Sequence, residues 1–248
     1  MIPLSVVIIT NNEELNIERC LKSVIPVSTD IIVVDSGSKD ATIDICRKYS
    51  AKVVERAWDG YASQKNFGNS LAVNPYILSI DADEELTTEL QQEIKALKEP
   101  FADVYEILFK ISFCGKWLTH THWNSGKHVR IFRKEFKWNN NDDVHEKLLI
   151  PADIKKVRLS GKINHYTIHS LKQYKYKNDH YAMLAAKKMK ASGKKAGFVK
   201  LYISPVWRFF HSYILKLGFL EGYYGYVIAY ETARCAFLKY YKLKHLLS

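Results

Sequence analysis

The sequence predicts an α/β protein: a mostly parallel sheet with helices in front, then a basic, aromatic helical extension. Three observations predict it. Short apolar, β-branched runs alternate with segments of helical period over the first hundred residues, the pattern of consecutive βαβ units. Three of those runs end in polar or acidic clusters, at the sheet edge where ligands bind in open α/β folds. Charge is divided unevenly. Residues 1–159 carry 21 Lys+Arg against 23 Asp+Glu, whereas residues 160–248 carry 16 against 3, so the back of the chain is built differently from the front.

The elements follow in order. Ser5–Thr10 reads as a buried strand, and Glu13–Val24 as a helix with Leu15, Cys20, Leu21 and Val24 at helical spacing, stopped by Pro26. Ile31–Asp35 is a second strand, Asp40–Tyr49 a helix and Lys52–Glu55 a third strand. Ser63–Ala72 is helical and Tyr76–Ile80 a fourth strand. Thr87–Lys98 is a polar helix opened by an N-cap at Thr87-Thr88. Beyond it the rhythm changes. Val104–Phe113 and Val129–Arg133 read as strands separated by loops rich in Asn, Gly and His, and helical period returns at about Leu171.

Length and composition set bounds. A chain of 248 residues, 47% apolar and 25% charged, can bury a core without disulfide or metal staples. The N-terminal apolar run lacks the basic flank and cleavage site of a signal peptide. The uncharged run Gly222–Tyr230 falls well short of the about 20 apolar residues of a spanning helix. The scattered Cys20, Cys46, Cys114 and Cys235 form no disulfide or zinc framework, which suits a reducing cytoplasm. Neither GxGxxG nor a Walker sequence occurs, which argues against dinucleotide oxidoreductases and P-loop NTPases.

The chemistry is expected at the three strand ends: Thr10-Asn11-Asn12-Glu13-Glu14, Asp35-Ser36-Gly37-Ser38-Lys39-Asp40 and Asp81-Ala82-Asp83-Glu84. Two carboxylates at i and i+2 on a tight turn can share a hard divalent cation whose open sites go to phosphate oxygens. Each cluster also has a plainer reading: Asp35 as the head of an Asx turn, Asn11-Asn12 as a helix cap, Asp81-Ala82-Asp83 as an acidic turn. Their joint placement favours a nucleotide-diphosphate ligand. The histidines His120, His122 and His128 raise the alternative of zinc, without a cysteine to complete it.

Taken together, Ser5–Glu14, Ile32–Thr42, Gln64-Lys65-Asn66 and Leu78–Glu84 resemble the family 2 glycosyltransferases of the GT-A fold in order and spacing. Val34–Ser38, Val144-His145-Glu146 and Lys216–Gly222 resemble the subgroup that builds lipopolysaccharide core. The resemblance implies a GT-A domain over residues 1–170, with the nucleotide-sugar side in 1–100 and the acceptor side in 101–170, and a helical extension over 171–248. It implies inverting, metal-dependent transfer of a hexose from a nucleotide-diphosphate sugar, UDP-linked above all, to a lipid-linked glycan. Alternatives are another surface glycan, a lipid carrier or a protein as acceptor, or a non-catalytic nucleotide-sugar-binding scaffold. By carry-over, Thr10, Asn12, Glu14, Asp35 and Lys65 line the nucleotide site. Asp81 approaches the ribose or sugar, and Asp83, with Asp81, holds Mg²⁺ or Mn²⁺. Many family members have a second Asp where this chain has Ser36. Inversion needs a general base away from the metal; the resemblance points to Glu146, with Asp143 second. Arg130 is a candidate for the diphosphate. Arg133, three residues along the same strand, faces the other side. His165 and His169 are candidates for the acceptor side.

The back of the chain mixes aromatics with cations, as in Phe198–Phe210 and Lys239–Lys244. Such segments suit an anionic headgroup boundary, or they form a helical core packed on the sheet. No nucleic-acid module is visible. The expected location is cytoplasmic, peripheral on the inner face of the cytoplasmic membrane.

Overall fold

The computed structural model describes residues 1–121, 123, 126–139 and 147–245. Its chain divides into two compact units, residues 1–109 with 126–165, and residues 110–125 with 166–248. The units are therefore interleaved in sequence.

The first unit is built on β1 (Leu4–Thr10), β2 (Asp30–Asp35), β3 (Lys52–Glu55) and β4 (Tyr76–Asp81), separated by the helices α1 (Ile17–Val24), α2 (Thr42–Lys48) and α3 (Tyr61–Leu71). These strands are parallel in the order β3-β2-β1-β4. Every residue of β1 is buried, as a central parallel strand covered on both faces must be. One face carries Val7, Ile9, Ile32, Val34 and Ile77 into a core shared with Phe132, Phe136 and Trp138. Gly68 of α3 lets that helix lie close, since a Cβ there would fall 2.4 Å from Val7 Cγ1.

After β4 the chain turns through Ala82-Asp83 into β5 (Glu84–Leu86) and α4 (Thr88–Ala96). The expected cap is present: Thr87 Oγ1 accepts the Leu90 N–H. Then follow β6 (Val104–Phe113), β7 (Lys116–Leu118), β8 (Lys127–Arg133), the small hairpin β9 (Trp138–Asn139) and β10 (Lys147–Leu148), and the long β11 (Lys156–Ile168). The sheet continues from β4 as β8-β6-β11-β5. Here β8 runs antiparallel to β4 and to β6, and β5 antiparallel to β11. The sequence reading leaves 156–168 without an element; the structure fills it with thirteen residues of strand.

The second unit holds β7 and the helices α5 (Leu171–Ala191), α6 (Ser204–Phe210) and α7 (Tyr223–His245). α6 is flanked by π-helical turns at Val199–Ile203 and His211–Leu215. Pro205 lacks the N–H that would bond Leu201, which favours the wider turn before it. Phe113, Trp123, Tyr174 and Tyr224 pack edge to face. The Lys216–Gly222 segment has a structural role here: the buried Glu221 carboxylate accepts the N–H groups of Thr119 and His120, each at 2.7 Å, and pairs with Lys116 at 3.2 Å. Among the described residues, no helix is long and apolar enough to cross a membrane.

Candidate active site

Register brings the strand ends together. Thr10 pairs with Asp35 across β1 and β2, and Ile9 with Asp81 across β1 and β4. The three polar clusters therefore emerge side by side at one edge of the first unit.

The loops after β1 and β2 are stitched to each other. The Asn12 N–H donates to Ser38 Oγ, Asn12 Oδ1 accepts the Lys39 N–H, both at 2.8 Å, and Glu14 Oε2 accepts the Ala41 N–H at 3.1 Å. Asp35 is fully buried, and its carboxylate accepts the N–H groups of Gly37 and Ser38 and the Ser38 hydroxyl. It thus shapes the turn at this sheet edge. Thr10 is buried too, and its Oγ1 finds no hydrogen-bond partner among the described residues. A buried hydroxyl in that state is a place for a ligand or water to bond.

The Asp81–Glu84 turn is the electrostatic centre. Asp81 Oδ1 lies 3.3 Å from Lys65 Nζ and Oδ2 3.3 Å from Arg130 Nη2. Burial opposes the ionisation of Asp81, but Lys65 and Arg130 outweigh it and hold the carboxyl well below the usual range. Glu84 is buried; Oε1 takes Arg130 Nη2 and Oε2 accepts the Asp81 N–H at 3.1 Å. Its burial, reinforced by Asp81, pushes its carboxyl up to about 7 against the pull of Arg130. Lys65 is itself buried, 5.0 Å from the Trp138 ring centroid, and Arg130 lies 4.9 Å from that of Phe109. Arg133 lies away from this cluster, tied to Asp103 at 2.6 Å; the alternation expected to put it on the face opposite Arg130 is broken by the register shift at Arg130.

Asp83 points elsewhere. Its Oδ2 lies 3.2 Å from His165 Nε2, both side chains about one-fifth exposed. Burial alone would lower the His165 pKa; the hydrogen bond and charge of Asp83, with Glu84 and Asp81, instead raise it to about 9. Neither His165 at this position nor the bridging role of Glu84 follows from the motifs. The signal for Glu84 is a third acid on the turn. His165 is placed by strand pairing, opposite Glu84 in the β5–β11 register.

Among the described residues, no group of three or more His, Cys, Asp and Glu forms a self-sufficient cage. A cation supported by one or two carboxylates, with the rest of its ligands from a diphosphate and water, needs no such cage. Asp83 supplies the carboxylate, with the His165 imidazole beside it, and a cation there would displace the His165 proton. The residues fit. Of the remaining histidines, His128 stacks on Phe109 and His120 bonds to Glu221; His122 lies outside the described residues.

Glu146, Asp143 and His145 also lie outside the described residues. The described residues on either side of that segment pair with each other. Lys147 pairs with Asn139 and Leu148 with Trp138. Asn66, the neighbour of Lys65 on α3, clamps Trp138 through both its backbone groups, at 2.8 and 2.9 Å.

Comparison with known proteins adds four findings. The profile of Glycosyl transferase family 2 matches residues 5–157. An uncharacterized glycosyltransferase of Rickettsia typhi is 33% identical over 98% of this chain and 87% of its own length. The lipopolysaccharide core biosynthesis glycosyltransferase LpsC of Rhizobium meliloti is 27% identical over 94% of this chain and 91% of its own. Among solved structures, S. aureus TarS 1–349 in complex with UDP superimposes with a TM-score of 0.53 at 17% identity, covering 99% of this chain and 91% of that one. This likeness is one of fold.

Proposed function

The chain belongs to glycosyl transferase family 2, and from that premise we propose that it moves a hexose from a UDP-sugar, with inversion, to a lipid-linked glycan of the lipopolysaccharide core class. The observation that carries the donor side is the convergence of Thr10, the Asp35 turn, Lys65, the Asp81–Glu84 turn and Arg130 at one sheet edge. TarS, similar in fold, has been solved with UDP and with UDP-GlcNAc, which supports a nucleotide-sugar donor. LpsC, similar over nearly the whole chain, supports the acceptor class.

Thr10, Asn12, Glu14 and the turn shaped by Asp35 take the nucleoside. Lys65 and Arg130 orient Asp81 toward ribose and sugar and set positive charge beside the diphosphate. Asp83, with Asp81 second, holds Mg²⁺ or Mn²⁺. When bound, the cation offsets charge on the leaving diphosphate as a Lewis acid. Glu146, with Asp143 as second candidate, takes the proton of the acceptor hydroxyl as it attacks the anomeric carbon from the opposite face. The work is placed at the inner face of the cytoplasmic membrane.

The test is a panel of nucleotide sugars with Mg²⁺ or Mn²⁺, followed by melting temperature and slow donor hydrolysis. A ligand that binds only the native state raises stability with occupancy. Metal-dependent stabilisation by one UDP-sugar is expected. A folded protein indifferent to every nucleotide sugar would overturn the reading.

A further inference from the structure

The second unit carries an apolar surface turned the wrong way for water. From the π turn at Val199 through α6, Val199, Ile203 and Trp207 form one i, i+4 row and Tyr202, Val206 and Phe210 the next. These six side chains are between 43% and 68% exposed. The opposite side of the same stretch buries Leu201, Pro205 and Ser212. A continuous apolar face of this kind marks an interaction site.

Charge identifies the occupant. Residues 180–220 contain eight Lys and Arg and no Asp or Glu. Two copies of this face would bring like charges together, whereas a bilayer of anionic lipid offers both an apolar interior and complementary headgroups.

We propose that the helical unit docks on an anionic bilayer through this α6 face, its aromatic rows lying in the headgroup boundary. The assignment deepens the lipid-linked acceptor of the proposed function by placing the enzyme on its acceptor's surface, and its test reads binding rather than transfer.

The full-length protein is sedimented with phosphatidylcholine vesicles, with and without phosphatidylglycerol. Binding is expected with phosphatidylglycerol and is expected to fall as salt is raised. Val206→Ser with Trp207→Ser should weaken it by about tenfold or more while leaving the circular dichroism spectrum unchanged, because both side chains are exposed. Brominated lipid should quench fluorescence in the wild type, with that quenching reduced in Trp207→Phe. Absence of binding to either vesicle overturns the proposal, as does a concentration-dependent dimer abolished by the serine variants, which would assign the face to a second copy. A protein that transfers sugar to a soluble acceptor without binding vesicles sinks this inference alone; one that binds vesicles but is indifferent to every nucleotide sugar sinks only the proposed function.

Discussion

Asp83 Oδ2 and His165 Nε2 stand 3.2 Å apart, whereas Asp81, two residues earlier on the same turn, faces Lys65 and Arg130. The two carboxylates of the turn therefore have different partners, and their removal should have different consequences. Asp83→Ala is expected to keep the fold, since the side chain is partly exposed. It should abolish metal-dependent stabilisation by the donor and cut transfer by at least about 100-fold, the scale of a lost Lewis acid. Transfer at the wild-type rate would remove Asp83 from the metal site.

Arg130→Met acts on stability. The substitution leaves Glu84 buried without its cation; breaking a buried pair from one side costs about 3–5 kcal/mol while the partner stays charged, and protonation of Glu84, whose carboxyl is already raised to about 7, lowers that cost at neutral pH and below. The double variant Arg130→Met/Glu84→Gln should recover most of that loss, because no buried charge is then stranded. Urea unfolding of the two variants measures the coupling; equal destabilisation in both would show that packing on Phe109, and not charge, is what Arg130 contributes.

The parallel half of the sheet was legible because its strands are buried on both faces and read as unbroken β-branched runs, Val6 to Ile9 and Ile31 to Val34. Boundaries were less so. The first helix begins at Ile17, not Glu13, because the Glu13 carbonyl takes the N–H groups of Asn16 and Ile17 in a preceding turn. β11 hides for a physical reason. Its centre is Ser160-Gly161-Lys162, poor strand formers, yet Gly161 is required there, since a Cβ would fall 2.4 Å from Leu90 Cα. With that strand unseen, the contact between Asp83 and His165, 82 residues apart, had no local signal. The strand-end motifs announced the clusters but not their wiring, which depends on register.

Glu221 makes stability depend on acid. Burial would raise its pKa, but the N–H groups of His120 and Thr119 and the side chains of Thr119 and Lys116 prevail and lower it to about 2. A depressed folded-state pKa contributes stability that is present above the unfolded value near 4.5 and is lost as pH falls through 2. The full contribution is about 3 kcal/mol. Glu221→Gln should be less stable at neutral pH by a sizeable part of that amount, and the gap should close between pH 4.5 and 2. A gap that stays constant through that window would show that shape rather than charge anchors the Lys116–His120 segment.

Gly225 is a close-packing position. A Cβ on it would fall 1.8 Å from the Gly218 carbonyl oxygen, so α7 and the 218–221 turn must part to admit it. Gly225→Ala is expected to cost at least about 1–3 kcal/mol, the range for overpacking. Gly197→Ala, where a Cβ meets nothing within 4 Å, should stay within about 0.5 kcal/mol of the wild type. Thermal unfolding of the pair decides; equal melting temperatures would place slack between the turn and the helix.

The last prediction separates donor from acceptor chemistry. Lys65 and Asn66 are consecutive on α3. The first reaches Asp81, and the second clamps Trp138 at the foot of the segment that carries Asp143 and Glu146. A base on that segment acts on the acceptor hydroxyl and owes nothing to the metal. Glu146→Gln should therefore keep the metal-dependent thermal shift given by the donor and lose transfer by about 100-fold or more, the scale of general-base catalysis. Asp83→Ala should lose both. Asn66→Ala leaves every donor-binding side chain in place but frees the foot of the segment, so its loss should fall on kcat rather than on KM for the donor. Measuring the thermal shift and the transfer rate for all three variants gives the assignment. If Glu146→Gln turns over normally while Asp143→Asn does not, the base is Asp143. If neither variant is slowed, the base lies on another segment.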